Sequence, residues 1–189
     1  MNDNGLLLAI AGPSGIGKTT ICHQLLESDD RYVFSVSCTT RARRENETDG
    51  VDYHFITREE FQRFIHEGKL AEWQEVFGNL YGTLKSAIQE ALDHGRVLLL
   101  DIEVKGTLNI KAIYPQDTIT VFLQPPSEAE LKRRLKSRGT ECEKSIKIRS
   151  ARVEEELELG KKFDYQVTND DLQQTVSKIR KIVNGEKNI

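Results

Sequence analysis

Three short runs of consecutive apolar residues punctuate the chain: Gly5 to Ala11, Val97 to Asp101 and Thr118 to Leu123. Runs this short, apolar on both alternating faces, predict strands buried on both sides of a parallel sheet. Two further strands are expected near Tyr32 to Val36 and Tyr165 to Thr168. Between them the apolar positions recur at helical spacing. One helix carries Ile21, Leu25 and Leu26, and another carries Leu84, Ala87, Ile88, Ala91 and Leu92 before Gly95 stops it. The pair Pro125-Pro126 breaks the chain, and Ser127-Glu128-Ala129-Glu130 opens a helix running to Arg138-Gly139. A charged, helical arm follows over roughly 141–159, and the last helix carries Leu172, Val176, Ile179 and Val183. Alternation of this kind specifies an α/β fold with a parallel sheet flanked by helices.

The stretch 37–83 has another character. It offers a short strand near Tyr53 to Ile56 and a helix opened by the capping box Thr57-Arg58-Glu59-Glu60. Phe61, Phe64 and Ile65 stripe that helix, and extended segments follow near Ala71 to Phe77 and at Tyr81. The division expected is a core of 1–36 and 84–189 with a small inserted lobe at 37–83.

Composition narrows the function classes. Of 189 residues, 38% are hydrophobic, enough for a core, and 30% are charged with a net charge of −3. A general nucleic-acid binder would more often be basic, so an anion site here must be a local cluster of Arg and Lys. No apolar run approaches the roughly 20 residues that span a bilayer, which removes a membrane partner. The first residues, Met1-Asn2-Asp3-Asn4, lack the flank and apolar stretch of a signal peptide. Cys22, Cys38 and Cys142 are odd in number without CxxC spacing, as suits reduced thiols, so a cytoplasmic location is expected. The four histidines are scattered and suggest no metal site.

The clearest chemistry lies at Gly12-Pro13-Ser14-Gly15-Ile16-Gly17-Lys18-Thr19, a full match to GxxxxGK[ST] between a buried strand and a helix. Glycines let backbone N–H groups turn inward around a phosphate, and the helix N-terminus adds partial positive charge. Lys18 can bridge β- and γ-phosphates and the Thr19 hydroxyl can ligate Mg²⁺. The sheet is therefore of the P-loop NTPase type, with a nucleoside triphosphate as the expected ligand and Mg²⁺ as the cofactor.

The segment downstream resembles a known family. Ser37-Cys38-Thr39-Thr40-Arg41, Arg44 and Gly50-Val51-Asp52-Tyr53-His54-Phe55 look like the GMP-binding segment of guanylate kinases. Glu72-Trp73, Gly78-Asn79-Leu80-Tyr81-Gly82-Thr83, Leu100-Asp101-Ile102-Glu103, Leu123-Gln124-Pro125-Pro126-Ser127 and Asn169-Asp170-Asp171 follow in the family's order. The resemblance implies that ATP phosphorylates GMP, with dGMP an open alternative acceptor. It implies that Arg41, Arg44, Tyr53 and Tyr81 hold the GMP phosphate, a set suited to a dianion because guanidinium forks bind oxygens bidentately. Glu72 would accept from guanine N1–H and N2–H₂, with Ser37 and Thr83 at O6 and with Asp101 and Glu103 beside the nucleotide. Thr20 and Asn169 would join the ATP site. Arg134, Arg138 and Arg149 would reach over the ATP phosphates from a lid within about 127–157. Asp101 would act on Mg²⁺ through a bound water.

The nucleophile would be an already anionic phosphate oxygen, so no general base is required; Lys18, Mg²⁺ and the arginines offset the repulsion between substrates. The family usually has Pro and Gly where this chain has Arg43 and Asn46, and Asp and Gln at Glu103 and Lys105. Two rival readings remain at this point. One is a guanylate-kinase-like protein-binding module, which usually carries a damaged phosphate loop. The other is a P-loop kinase with a different phosphorylated acceptor, against which Glu72 with Ser37 and Thr83 argues.

Overall fold

A computed structural model describes residues 5–13, 15–127 and 154–185. In chain order its elements are β1 (Leu6–Ala11), α1 (Lys18–Ser28), β2 (Tyr32–Phe34), β3 (Cys38–Thr39), β4 (His54–Phe55), α2 (Arg58–His66), β5 (Leu70–Val76), β6 (Asn79–Leu84), α3 (Lys85–Asp93), β7 (Val97–Asp101), α4 (Val104–Ile113), β8 (Thr118–Gln124), a helical stretch at 154–160, β9 (Tyr165–Thr168) and α5 (Leu172–Val183). Five strands form a parallel sheet in the order β2-β7-β1-β8-β9. The expected α/β architecture is thus the observed one. The expected helix from Ser127 to Gly139, the first part of the charged arm and Cys142 lie outside the described residues, whereas Cys22 and Cys38 are free, buried thiols.

The central strand explains why the first apolar run has no polar alternation. Leu8 and Ile10 pack into a cluster with Ile21 and Leu25 of α1 and Ile179 and Ile182 of α5. Leu7 and Ala9 point the other way, towards Ile88 and Ala91 of α3 and Ile110 of α4. Both faces of β1 are therefore covered by helices, as a parallel sheet requires.

Helix α4 is the element that the apolar pattern does not announce. Gly106 interrupts it, and Glu103 at its N-cap makes no side-chain capping bond. Packing compensates for weak local signals: Val104, Thr107 and Ile110 are buried, and α4 lies against β1, β8 and β5. Strand β2 ends at Phe34, short of Val36, because the chain leaves the parallel sheet there and re-pairs at Cys38 in a second one.

That second sheet runs β4-β3-β6-β5, with β3 antiparallel to β6 and β5 antiparallel to β6. Its core is Cys38, Phe61, Leu70 and Leu80, with Phe64 and Ile65 packed against it. Thr57 caps α2 by accepting from the Glu60 backbone N–H at 3.1 Å, so the capping-box residue does what its spacing predicts. Thr39 Oγ1 donates to Leu80 O (3.0 Å) and Thr40 Oγ1 accepts from Leu80 N (2.9 Å). These bonds fix the point at which Arg41 leaves β3.

Two features of the β5–β6 hairpin set the register. The turn Phe77-Gly78 has φ values of 50° and 79° between paired Val76 and Asn79, the all-positive geometry of a type I′ turn. Nearer its other end the pairing jumps from Leu70↔Leu84 to Glu72↔Thr83, a bulge that leaves Ala71 as the extra residue. Leu70 thereby stays in the second sheet's core, Ala71 packs with the parallel sheet's core, and Glu72 turns into the space between them.

The glycine-rich loop before α1 is anchored from far along the chain. Asn169, at the end of β9, donates from Nδ2 to Ile16 O at 2.6 Å and accepts at Oδ1 from Thr175 Oγ1 at 3.0 Å. Asn169 is only 8% exposed, so no water can replace these bonds freely. Replacing it with Ala removes the donor from the buried Ile16 carbonyl, while Thr175 Oγ1 keeps Asp171 O at 2.8 Å, and Asn169→Ala is expected to lower unfolding free energy by about 1–3 kcal/mol in a urea titration. At the hairpin tip, a left-handed backbone costs an ordinary L residue roughly 1–2 kcal/mol, of which Asn is partly relieved. Since the Phe77 side chain is 72% exposed, Phe77→Asn is expected to raise the melting temperature, and a lowered one would contradict the strain assigned to residue 77.

Candidate active site

Lys18 and Thr19 open α1 and turn towards the ends of β1 and β7. Lys18 Nζ donates to Gly12 O at 2.9 Å, folding the lysine back over the loop it belongs to. Thr19 Oγ1 donates to Asp101 Oδ2 at 3.2 Å. Asp101 is the last residue of β7 and pairs in register with Ile10, so the adjacency of loop and carboxylate is dictated by the sheet. Burial pushes the Asp101 carboxyl above its usual range, and the nearby Lys18 ammonium pulls it back down. A hydroxyl and a carboxylate side by side are hard oxygen donors, the chemistry Mg²⁺ accepts when phosphate and water complete its shell. Among the described residues no group of three or more His, Cys, Asp or Glu side chains could hold a metal ion. Gly12, Pro13 and Ile16 are buried, Gly15 and Gly17 partly so, and Thr20 is exposed on α1; Ser14 lies outside the described residues.

Between the two sheets lies a cleft of about 320 Å³ that brings together Lys18, Ser37, Arg44, Tyr53, Glu72, Tyr81, Asp101 and Glu103. Glu72 is 7% exposed and Thr83 is fully buried, and Thr83 Oγ1 donates to Glu72 Oε1 at 2.7 Å. Burial pushes the Glu72 carboxyl upward; the bonds from Thr83 lower it, and the charge of Glu103 raises it further. This pair revises one expectation. A hydroxyl has one proton to give, and Thr83 gives it to Glu72, which leaves Ser37 as the donor available to a carbonyl at the cleft.

The basic loop is organised by a residue that its charge pattern conceals. Arg41 Nη1 and Nη2 both donate to Glu47, at 3.0 and 2.7 Å, and the Arg44 backbone N–H donates to the same carboxylate at 2.8 Å. The Arg41 guanidinium holds the Glu47 carboxyl below its usual range. Arg43, one of the departures from the family pattern, donates to Glu47 O at 2.7 Å. Glu47 was not singled out from the sequence; it is one of three acids, with Glu45 and Asp49, that follow the run of arginines. The Arg41 guanidinium also lies 5.5 Å from the Tyr53 ring centre and 5.7 Å from that of Phe55, within cation–π range. Tyr53 and Tyr81 meet edge to face at 5.9 Å. Burial first, then the charge of Asp101, pushes the Tyr53 phenol up to about 12, so it remains a proton donor at neutral pH.

Another of these departures also has a partner. Lys105 Nζ lies 2.7 Å from Glu155 Oε1, an exposed ion pair between α4 and the helical stretch at 154–160. Lys18, Arg44 and the predicted residues Tyr53, Glu72 and Tyr81 thus share that cleft, whereas Thr19 and Arg41 line an adjoining one that has Ser37, Arg44, Tyr53, Tyr81 and Asp101 in common with it; Asn169 braces the glycine-rich loop. Arg134, Arg138 and Arg149 lie outside the described residues.

Comparison with known proteins agrees with this geometry. The family model described as guanylate kinase matches residues 5–186. A guanylate kinase of Anaeromyxobacter dehalogenans is 47% identical over 97% of this chain and 81% of its own length. Another, from Halalkalibacterium halodurans, is 44% identical over 97% of this chain and 90% of its own. Among solved structures, guanylate kinase from Anaplasma phagocytophilum superposes with a TM-score of 0.81 at 31% identity, covering 100% of this chain and 89% of that one. Shikimate kinase from Bacteroides thetaiotaomicron, with a TM-score of 0.51 at 14% identity, shares the fold alone. With its glycine-rich loop, paired arginine loop and buried glutamate in one cleft, the chain belongs to the guanylate kinase family.

Proposed function

We propose that this chain transfers the γ-phosphoryl group of ATP to GMP, giving ADP and GDP. The observation that carries the acceptor assignment is Glu72: a buried carboxylate, held by Thr83, in the same cleft as the phosphate-loop lysine. Burying a carboxylate is costly unless something pays in hydrogen bonds. Guanine offers two donors on one edge, N1–H and N2–H₂, that satisfy it. Adenine presents an acceptor at N1 and no 2-amino group, and would leave Glu72 unmatched. Ser37 donates to O6, since the Thr83 proton is committed.

The acceptor phosphate is held by Arg44, Tyr53, Tyr81 and Arg41. Arg41 is presented edge-on, because Glu47 occupies one side of its fork. Its Nη1 is filled by Glu47 and by Ala42 O at 2.8 Å, which leaves Nε and the second Nη2 hydrogen for the phosphate, and the pair adds orientation with little net charge. Lys18 and the backbone N–H groups of residues 15–19 hold the donor phosphates, joined by the lid arginines Arg134, Arg138 and Arg149. Thr19 and Asp101 would hold Mg²⁺, which supplies charge neutralisation between the donor phosphates. Catalysis is then positioning and electrostatics, with no proton to be abstracted. The groups that bind the two substrates sit on different parts of the chain, 37–83 for the acceptor and the P-loop core with its lid for the donor. Closure of these parts excludes water from the reacting phosphates. A cytoplasmic enzyme fits the absence, among the described residues, of any helix long and apolar enough to cross a membrane.

The acceptor reading is tested by Glu72→Gln, which keeps size and turns one acceptor into a donor. Loss of a charge-assisted bond of this kind costs roughly 1.5–3 kcal/mol, or about 10 to 150-fold in kcat/KM for GMP. AMP never made the bond, so its low kcat/KM should hold or rise; equal decline of both substrates would show Glu72 to be structural. A pH profile gives a second test. Guanine recognition needs the carboxylate form, and the Glu72 carboxyl is raised by burial. As pH falls through that raised value the proton added is a donor facing donors, so kcat/KM for GMP is expected to drop at a pH above the ordinary carboxylate range. Protonation of the phosphates contributes equally to wild type and Glu72→Gln, so the drop assigned to Glu72 is the limb that the variant lacks.

A further inference from the structure

We propose that Gly106 sets base specificity: the missing side chain at this position of α4 is what allows the Glu72 carboxylate to stand where it reads the base. The inference rests on the guanine reading of Glu72 and deepens it. A Cβ built at Gly106 would lie 2.6 Å from Glu72 Oε2, closer than real Cβ atoms approach, and 3.2 Å from its Cδ, a tight contact. The backbone supplies no other reason for glycine here. Gly106 is inside a helix and is not among the positive-φ glycines, and glycine in a helix interior is less stable than alanine. A destabilising residue kept at an ordinary backbone conformation points to a demand for space.

The carboxylate is fixed from two sides. Thr83 on β6 holds Oε1 at 2.7 Å, and Gly106 on α4 borders Oε2. With alanine at 106 something must shift, and the choice is between the helix and the side chain. The helix is held at Val104 in one buried cluster and at Ile110 in another, so moving it disturbs two cores. The tip of Glu72 has three rotatable bonds and open cleft before it. The carboxylate is therefore the group that yields, into the space the base would occupy. This effect belongs to binding. Lys18, Arg41 and Arg44 are untouched, so the transfer step should proceed once GMP is bound.

The expected signature separates specificity from structure. Gly106→Ala should raise KM for GMP about tenfold or more, the loss of one charge-assisted hydrogen bond, while kcat stays within about threefold and the GMP/AMP preference falls. Its melting temperature should be unchanged or higher, because alanine favours the helix. Glu72→Asp withdraws the carboxylate by one methylene, so the alanine penalty on KM measured on that background should vanish. The proposal is overturned if Gly106→Ala leaves KM for GMP within twofold, or if its penalty persists in full alongside Glu72→Asp, since the methyl would then act elsewhere. Glu72→Gln assayed in parallel tells the two failures apart. If that variant collapses the GMP/AMP preference while Gly106→Ala does nothing, only the glycine's role falls; if it leaves the preference intact, the guanine reading falls and the role of Gly106 with it.

Discussion

A carboxylate in the interior is among the costliest groups a small domain can hold, and the placement of Glu72 governs the geometry around it. The type I′ turn at Phe77-Gly78 sets the β5–β6 register that puts Thr83 opposite Glu72. The bulge at Ala71 turns Glu72 out of the second sheet's core and into the cleft. Helix α4, packed on the parallel sheet, gives up a side chain at Gly106 where that carboxylate arrives. Three separate local costs, a left-handed phenylalanine, a broken ladder and a helical glycine, converge on one side chain. Such convergence is the pattern of a site in which stability is traded for function.

The phosphate end of the cleft solves the opposite electrostatic problem. A cluster of cations without substrate repels itself, and Glu47 offsets that repulsion from within the basic loop. The carboxylate binds one edge of Arg41 and the backbone of Arg44, so the loop is shaped without a ligand. Preorganisation of this kind reduces the ordering cost of binding. Asp101 serves similarly near Lys18, where a half-buried acid with a raised pKa stands beside the loop lysine and the Thr19 hydroxyl.

Strong local signals made much of this legible in the chain itself. The run Gly5 to Ala11 reads as a doubly covered strand because both of its faces meet helices, and Thr57 reads as a cap because capping chemistry is local. Gly12 to Thr19 and the ordered motifs from Ser37 to Asn169 identified the family. What stayed hidden depended on contacts between distant residues. Helix α4 lacks a cap and contains glycine, and exists by packing on three strands. Glu47 looks like any acid in a charged loop until its distance to Arg41 is known. The commitment of the Thr83 proton to Glu72 is likewise a matter of register across a hairpin.

On the proposed guanine reading, base recognition does not reside in the second sheet alone. Glu72 and Thr83 belong to β5 and β6, but the wall that shapes their carboxylate is a helix whose other contacts are with β1 and β8 of the parallel sheet. Nearby, the Glu103 charge raises the Glu72 carboxyl from the same end of α4. Any relative movement of the two sheets alters the room left to Glu72 by α4, and with it the hydrogen-bonding position offered to the base. A base that satisfies the carboxylate favours the arrangement in which helix and hairpin meet as described, whereas one that leaves it unpaired retains the desolvation penalty of a buried charge. On that reading, discrimination between purines and the arrangement of the two sheets are coupled through one side chain and the absence of another.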